Sequence, residues 1–492
     1  MRLTVIGGGL AGCEAAWQAA RCGVDVDLYE MRPHKSGPAH KTANLAELVC
    51  SNSLRGAALE NAVGLLKEEL ATLASLIVHS AREAAVPAGG ALAVDRDVFA
   101  RLVEERIASH PRITLRREEV HTIPLDRPTI VACGPLPSTE FLTALDTLLM
   151  GRDAALVAAL KGDAASLECH GEPFDTLRTG SVEPRPSSAR KGASRGPRLH
   201  YYDAASPIVA ADSIDESQMY RKSRYDKGDG DDYLNIPLDK QQYLELLDDL
   251  RTLPRHEIEA FEDTKYFEGC LPIEEMADRG EDTMRFGPLK PVGLRDPRTG
   301  FTPYAVVQLR RENREGTAYN LVGFQTRLKW PAQKEAFGKF PGLHNAEWLR
   351  LGVMHRNTFI DSPRLLDSHL RLRGTDGLYF AGQITGAEGY VEAAACGAMT
   401  GIHAARRILG LPGIEFPANT AFGAVVAHLQ NTETHDFQPA NVTWAYMMPA
   451  REAAVVRSEG KKEKRQRLAL SAIETMKRFA ADLSRSRTLQ EV

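Results

Sequence analysis

The sequence predicts an α/β fold: a discontinuous Rossmann-like domain, an inserted α+β domain and a helical C-terminal region. Three observations lead to this prediction. A strand, a glycine turn and a helix open the chain within residues 3–20. A second strand, glycine loop and helix follow at residues 377–408. Between them, residues 201–325 contain separate strand patterns, at 304–310 and 319–324, which indicate a unit of their own.

The first glycine turn follows the pattern G-x-G-x-x-G directly after an apolar strand. Gly7 makes the tight turn, Gly9 lets the backbone approach a pyrophosphate, and Gly12 lets the helix pack closely on the strand. The N–H groups at the N-terminus of the helix then face the phosphates. The predicted cofactor-binding residues of this turn are Gly7, Gly8, Gly9, Leu10, Ala11 and Gly12.

A carboxylate stands where a ribose-binding acid belongs. The second strand, 24–29, ends in Glu30, 18 residues after Gly12, and Met31 and Arg32 follow. An ordinary turn with a surface glutamate is the competing interpretation. The register of strand, glycines, helix, strand and acid favours a dinucleotide site that includes Glu30, Met31 and Arg32.

The late glycine loop changes which dinucleotide is expected. It places Gly382, Gln383, Gly386, Glu388 and Gly389 between a short apolar strand and an alanine-rich helix. In FAD proteins of this type, such a helix begins at the flavin. Two loops at opposite ends of the chain therefore favour FAD over NAD alone, and they imply one domain built from both ends.

The predicted domains follow from these motifs and from changes in composition. The FAD-binding domain has a first part, 1–145, and a second part, 326–410; they enclose a basic segment, 146–200, and the α+β insertion, 201–325, and a helical region, 411–492, ends the chain. Proline, serine, glycine and arginine without apolar periodicity indicate that the basic segment is a mobile linker, with a nucleic-acid-binding arm as the alternative.

Basic and aromatic side chains alternate in the insertion. Arg221, Arg224, Tyr225 and Lys227 combine cations that hold phosphates with a ring that stacks on bases. A solvated surface with ordinary tyrosines is the alternative. These four residues are predicted to bind substrate, together with the polar triplet His355, Arg356 and Asn357, which stands beside apolar positions.

Two cysteines lie in loops. Cys50 opens the run Cys-Ser-Asn-Ser, whose poor helix and strand propensity predicts a loop at the same edge of the sheet as the first glycine turn. A buried structural cysteine is the alternative. Cys270 lies between Gly269 and Pro272, which makes the interior of a helix or strand unlikely and favours an accessible thiol.

Composition excludes several classes of protein. The net charge of −4 means that any nucleic-acid binding depends on local basic patches. The seven cysteines form no C-x-x-C pair, which argues against a metal site or a disulfide framework and for a reducing cytoplasm. No apolar stretch approaches the ~18 residues of a membrane helix, and the first apolar run breaks into glycines, unlike a signal peptide.

Ten stretches resemble the folate- and FAD-dependent tRNA (uracil-5-)-methyltransferases. They span nearly the whole chain in the expected order. The most specific are ELVCSNS and FEGCLPIE, which surround the two loop cysteines. The matching runs are VIGGGLAGCEAAWQAA, LYEMRP, LAELVCSNSLRG, YYDAASPIV, SRYDKG, YFEGCLPIEEMA, FGPLKPVGL, LVGFQTRLKW, GVMHRNTFIDSP and GLYFAGQITGAEGYVEAAACG.

The resemblance implies a reaction and its participants. NAD(P)H reduces FAD, and the reduced flavin and methylenetetrahydrofolate supply a methyl group to C5 of the T-loop uridine of tRNA, position 54. A thiolate that adds to C6 makes C5 nucleophilic, and the target base is flipped out to be reached. We expect Cys270 to attack C6 and Cys50 to act near the flavin, with the reverse assignment open. A monomer is expected.

The sequence departs from the family in places. Residues 146–200 are longer than the expected connection, and Cys13, Cys133, Pro331 and Asp361 replace the usual Ser, Thr, Gly and Asn. None of these changes removes a proposed catalytic group. The alternatives are a flavoprotein that modifies the wobble uridine of tRNA, a flavin-dependent thiol oxidoreductase that uses Cys50 and Cys270, and a flavoprotein that only binds and remodels tRNA.

Overall fold

The computed structural model describes residues 1–151, 198–256, 271–432, 437–447 and 460–488. Two of the sequence predictions fall outside these residues. They are the thiol of Cys270 and most of the basic segment 146–200.

A five-stranded parallel sheet brings the two ends of the chain together. The strand that precedes the late glycine loop pairs with a strand of the N-terminal part, so both parts of the chain contribute to one sheet, as the two glycine loops imply. The order across the sheet is β16-β7-β1-β2-β6, where the strands are β1 (Leu3–Ile6), β2 (Val26–Tyr29), β6 (Ile113–Arg116), β7 (Thr129–Val131) and β16 (Leu378–Phe380).

Two helices that follow the glycine loops pack against each other. They are α1 (Leu10–Arg21) and α11 (Tyr390–Ile408). Gly397 and Gly401 of α11 make this contact possible, because a Cβ atom at Gly397 would lie 2.2 Å from the carbonyl oxygen of Ala11, and one at Gly401 would lie 2.4 Å from that of Ala15. Around them lie α2 (Ala62–Thr72), α3 (Leu76–Glu83), α4 (Arg96–Ser109), α5 (139–151), α12 (Ala421–Leu429) and α13 (Lys461–Thr488).

A second, antiparallel sheet has its own hydrophobic core. Its order is β10-β11-β12-β13-β9-β14, with β9 (Ile208–Ala210), β10 (Tyr220–Arg221), β11 (Tyr233–Leu238), β12 (Ala305–Arg311), β13 (Ala318–Leu321) and β14 (Trp348–Arg350). The helices beside it are α6 (Lys240–Thr252), α7 (Ile273–Arg279), α8 (Thr283–Phe286) and α9 (Trp330–Gly338). The core continues past residue 325, to Leu343 and Trp348.

Two small sheets lie between the large ones. In the first, β8 (Arg198–Ala204) pairs antiparallel with β15 (Met354–Ile360), which ends just before the short α10 (Ser362–Leu365). In the second, β5 (Ala91–Val94) lies between β3 (Ser53–Gly56) and β4 (Ala85–Val86). Within the described part of the chain, no helix is long and apolar enough to cross a membrane.

Candidate functional site

A cleft of 410 Å³ opens at the carboxyl ends of the parallel strands. The loops predicted to meet there do so: the first glycine turn, the loop that contains Cys50, and the late glycine loop all line it. The predicted residues in its wall are Gly7, Gly8, Gly9, Leu10, Ala11, Glu30, Met31, Arg32, Cys50, His355, Asn357, Gly382, Gln383, Glu388 and Gly389.

The first glycine turn is shaped by close contacts on one side and open space on the other. A Cβ atom at Gly7 would lie 2.3 Å from the carbonyl oxygen of Ala132, and one at Gly12 would lie 1.8 Å from that of Gly7. By contrast, a Cβ atom at Gly9 would meet nothing within 4 Å. Gly9 precedes α1 without a side-chain cap, so the N–H groups at the start of the helix are available to an anion in the cleft.

Glu30 is fixed beneath this turn. Its carboxylate accepts a hydrogen bond from the Gly8 N–H (2.9 Å) and pairs with the Arg32 guanidinium (2.8 Å). Arg32 is itself buried and also pairs with Glu47 (3.0 Å). Burial opposes ionisation of Glu30, but the hydrogen bonds and charge of Arg32 outweigh it and hold the pKa of Glu30 below its ordinary value. Glu30 therefore ties the turn to the second strand as a carboxylate.

The late loop turns sharply at three glycines. Gly382, Gly386 and Gly389 have φ values of 83°, 85° and 109°, which only glycine adopts without strain. Gly389 precedes α11 without a side-chain cap, so a second helix N-terminus lies at the cleft. Gly386 is the one predicted residue of this loop that is not in the wall; a Cβ atom there would lie 2.7 Å from the ring of Phe437.

A neutral acid lies in the late loop. The carboxyl group of Glu388 accepts hydrogen bonds from the Tyr201 hydroxyl and from Gln383 Nε2 (2.6 Å). Burial, reinforced by the charge of Asp203, raises the pKa of Glu388 to about 8. Two acids of the cleft wall thus differ in charge: Glu30 is ionised, and Glu388 is protonated at neutral pH.

The loop of Cys50 is held by a tyrosine of the late helix. The N–H groups of Cys50 and Ser51 both donate to the Tyr390 hydroxyl, at 2.9 and 3.2 Å. The Cys50 thiol points towards the carbonyl oxygen of Ala204 (3.7 Å). Burial raises the pKa of Tyr390 above its ordinary value, so its hydroxyl stays protonated. Cys50 is therefore a half-buried thiol in the wall of the cleft.

Three arginines that the sequence analysis missed surround this loop. Arg310 donates to Ser51 Oγ (2.8 Å) and to Asn52 Oδ1 (2.9 Å). Arg96 donates to the Cys50 carbonyl (3.3 Å), and Arg350 donates to the Val49 carbonyl (2.6 Å). The one available signal was Arg310 itself, a charged residue near the end of a strand that begins with the apolar run Ala-Val-Val.

The basic and aromatic residues of the insertion lie outside the cleft wall. Arg221 pairs with Glu216 (2.9 Å), and Arg224 donates to the carbonyl oxygen of Val292 (2.5 Å). Tyr225 is 56% exposed, and Lys227 is exposed beside it. Their contact with a substrate therefore stays a prediction, and it concerns the protein surface outside the cleft.

The polar triplet of β15 is divided between the cleft and the solvent. His355 and Asn357 line the cleft, whereas Arg356 is exposed and is not part of the wall. Burial lowers the pKa of His355, and its Nε2 atom has no hydrogen-bond partner in the described structure. Among the described residues, no group of three or more His, Cys, Asp or Glu side chains is arranged to hold a metal ion.

A parallel sheet with two glycine loops and two uncapped helix N-termini at one cleft defines a dinucleotide-binding α/β protein. The fold resembles that of GidA from Aquifex aeolicus, with a TM-score of 0.63 at 16% identity over 98% of this chain and 73% of that chain. A family model described as glucose inhibited division protein A matches residues 2–412.

Closer relatives define the family. The chain is 50% identical over 482 residues to methylenetetrahydrofolate--tRNA-(uracil-5-)-methyltransferase TrmFO of Heliobacterium modesticaldum, covering 98% of each chain. It is equally similar to the protein of that name from Citrifermentans bemidjiense, covering 98% of this chain and 99% of that one. The chain therefore belongs to the TrmFO family of methylenetetrahydrofolate--tRNA-(uracil-5-)-methyltransferases.

Proposed function

We propose that this protein methylates C5 of the T-loop uridine of tRNA, position 54, with methylenetetrahydrofolate as the carbon donor. The single observation that carries the proposal is 50% identity over 98% of the chain to relatives named for that reaction. The cleft supports it, because it combines a dinucleotide cradle with a thiol, Cys50, in its wall.

The residues of the cleft fit FAD. The open space at Gly9 leaves room for a pyrophosphate, and the uncapped start of α1 offers N–H donors to it. The start of α11 offers a second set of donors at the flavin end. We assign FAD binding to Gly7, Gly8, Gly9, Leu10, Ala11, Gly12, Glu30, Met31, Arg32, Gly382, Gln383, Gly386, Glu388 and Gly389. Bound FAD, reduced by NADH or NADPH, would supply the reducing equivalents that turn the folate methylene into a methyl group.

The chain's own thiols activate the uracil in this proposal. Uracil C5 is a poor nucleophile until a thiolate adds to C6. We assign that attack to Cys270, which lies outside the described residues, and a role beside the flavin to Cys50. Substrate contacts are assigned to Arg221, Arg224, Tyr225, Lys227, His355, Arg356 and Asn357.

The two cores support a division of the chain into a discontinuous FAD-binding domain and an inserted α+β domain. Because the second core reaches Trp348, we place the end of the insertion near residue 350 instead of 325. The helical region 411–492 follows. We further propose that the protein acts as a monomer in the cytoplasm, where its scattered cysteines stay reduced.

The test uses the purified protein, methylenetetrahydrofolate labelled in its methylene group, NADH or NADPH, and a tRNA transcript. Label should appear in 5-methyluridine of the T loop and should be absent from a matched transcript with cytidine at that position. Label only at the anticodon would favour a wobble-uridine enzyme. Reversible disulfide formation without a need for folate would favour a thiol oxidoreductase, and tRNA binding without any label would favour a protein that only remodels tRNA.

The cysteine assignments have their own test. Cys270→Ala should abolish methylation, whereas Cys22→Ala, a change at the end of α1 and outside the cleft wall, should leave it intact. Full methylation by Cys270→Ala would remove the assignment of the nucleophile without touching the proposed reaction.

A further inference from the structure

Three arginines from three separate elements hold the loop 48–52. Arg96 begins α4 and donates to the carbonyl oxygens of Leu48 and Cys50. Arg350 ends β14 and donates to the carbonyl oxygen of Val49. Arg310 of β12 donates to the side chains of Ser51 and Asn52. We call these three residues the arginine collar.

The positive charge of the collar is only partly balanced by carboxylates. Arg96 pairs with Glu312 (2.6 Å). Arg310 is only 6% exposed, and in the described part of the chain neither it nor Arg350 has a carboxylate within 4 Å. A buried cation without a carboxylate is costly, so a negative charge nearby is strongly favoured. The three guanidinium groups of the collar therefore have one carboxylate partner among the described residues, Glu312.

Four elements of the described structure contribute groups at Cys50 or at the adjacent Val49. They are Arg96 of α4, Arg350 of β14, the Tyr390 hydroxyl of α11 and the carbonyl oxygen of Ala204 in β8. Arg96 reaches the Cys50 carbonyl at 3.3 Å and Arg350 reaches the neighbouring Val49 carbonyl at 2.6 Å, so both guanidinium groups lie on the loop beside the thiol. A cluster of guanidinium groups beside a partly exposed cysteine is the electropositive setting in which reactive thiols are found.

We propose that Arg310, Arg96 and Arg350 are positioning residues for Cys50: they fix its loop in the cleft wall and provide the positive charge that keeps its thiol reactive. The inference deepens the proposed function, on which the catalytic use of Cys50 rests. It also gives the second core a part in the site, through Arg310 of β12 and through Glu312, which directly follows β12 and pairs with Arg96.

The competing interpretation is that the collar only holds the loop in place. The two interpretations predict different changes in the reactivity of the Cys50 thiol. Loss of a guanidinium group removes positive charge, whereas loss of the Glu312 carboxylate removes negative charge. If the collar acts through charge, the first change should lower the reactivity of Cys50 and the second should raise it. If the collar only holds the loop, both changes should shift the reactivity in the same direction, because each change loosens the loop.

The experiment measures alkylation of Cys50 by iodoacetamide in the purified full-length protein, followed on the Cys50 peptide by mass spectrometry. It needs neither tRNA nor folate, so its outcome is separate from that of the methylation assay. The variants are Arg310→Gln, Arg350→Gln and Glu312→Gln. The matched control is Arg311→Gln, the next residue of β12, whose side chain lies on the other face of the strand.

Arg310→Gln and Arg350→Gln should each slow alkylation of Cys50 at pH 7 by about five- to tenfold. Glu312→Gln should accelerate it, Arg310→Lys should restore most of the rate lost in Arg310→Gln, and Arg311→Gln should leave it unchanged. Arg350 is half-buried and makes one hydrogen bond, so its variant is the one least expected to disturb folding. Unchanged alkylation in Arg310→Gln and Arg350→Gln, or a slower reaction in Glu312→Gln as well, would overturn the proposal.

Discussion

Glu388 is an acid that the folded chain keeps neutral. Its carboxyl group is buried against Tyr201 and Gln383, and burial with the nearby charge of Asp203 raises its pKa to about 8 from an ordinary 4.5. In the unfolded chain the same group releases its proton near the ordinary value. Between these two values the folded state holds a proton that the unfolded state has lost, so the contribution of Glu388 to stability falls as pH rises.

The variant Glu388→Gln tests this residue. Glutamine has nearly the same shape and is neutral at every pH. Between pH 5 and pH 8 the thermal stability of the variant should therefore fall less than that of the parent. Thermal unfolding midpoints measured across that range give the result. The control is Gln241→Glu, at an exposed position of α6. Gln383→Glu is unsuitable as a control because it adds an acid beside Glu388. Identical pH profiles of parent and variant would show that Glu388 is ionised in the fold.

The close packing of α1 on α11 is an element-scale feature with a consequence for the cofactor. A Cβ atom at Gly397 would lie 2.2 Å from the backbone of α1, and backbone cannot move aside as a flexible side chain can. Gly397→Ala should therefore push the helices apart, cost about 1–3 kcal/mol of stability, and displace the N-terminus of α1 from the pyrophosphate. We expect less FAD in the purified variant, measured by absorbance.

A glycine in another helix provides the control for this prediction. Gly338 ends α9, and a Cβ atom there would meet nothing within 4 Å. Gly338→Ala should keep its FAD and be neutral or slightly stabilising, since alanine is the better helix former. Equal FAD content in Gly397→Ala and Gly338→Ala would mean that the contact between the helices does not set the position of the first turn.

Glu69 of α2 is a cap for another helix. Its buried carboxyl group accepts the N–H groups of Ala421 (2.8 Å) and Phe422 (3.0 Å) at the start of α12. Burial outweighs these hydrogen bonds and raises the pKa of Glu69 to about 8. Glu69→Ala should lower the free energy of unfolding by about 1–3 kcal/mol, because both donors stay buried without a partner. Glu68→Ala, a change at the partly exposed neighbouring position, should cost less. Equal denaturant midpoints for the two variants would contradict the capping role.

The sequence analysis was most successful for local features of these elements. Gly7, Gly382 and Gly389 were recognisable because a sharp turn between a strand and a helix leaves a glycine pattern within a few residues. Cys50 was placed at the cleft by a topological rule about the edge of a parallel sheet, and the structure confirms that position. Neither inference needed knowledge of how distant segments pack.

The arginine collar was missed for the opposite reason. Arg310 and Arg350 lie about 260 and 300 positions from Cys50 along the chain, and no local periodicity connects them to it. Their contacts exist because the second core places β12 and β14 against the first. The Tyr390 hydroxyl accepts hydrogen bonds from two N–H groups of the Cys50 loop, and this contact was missed for the same reason.

At the scale of the whole molecule, one buried side chain joins the two cores. Asn52 is fully buried; its amide donates to the carbonyl oxygens of Val94 (3.0 Å) and Arg311 (2.9 Å), and it accepts from Arg310 (2.9 Å). Val94 belongs to the sheet beside the first core, and Arg310 and Arg311 belong to β12 of the second. The two cores are therefore coupled through a polar contact at the wall of the cleft.

Asn52→Ala should weaken this coupling more than it weakens either core. The variant leaves the Arg310 guanidinium and two carbonyl oxygens short of a partner, a loss of about 3 kcal/mol. In scanning calorimetry the parent should unfold with its two cores coupled, and the variant should separate into two transitions, since each core retains its own apolar contacts. Asn345→Ala, an exposed position without a side-chain hydrogen bond in the described structure, should leave the trace unchanged. A single transition at the parent midpoint in Asn52→Ala would mean that apolar packing between the cores, and not this polar contact, holds Cys50 at the cleft.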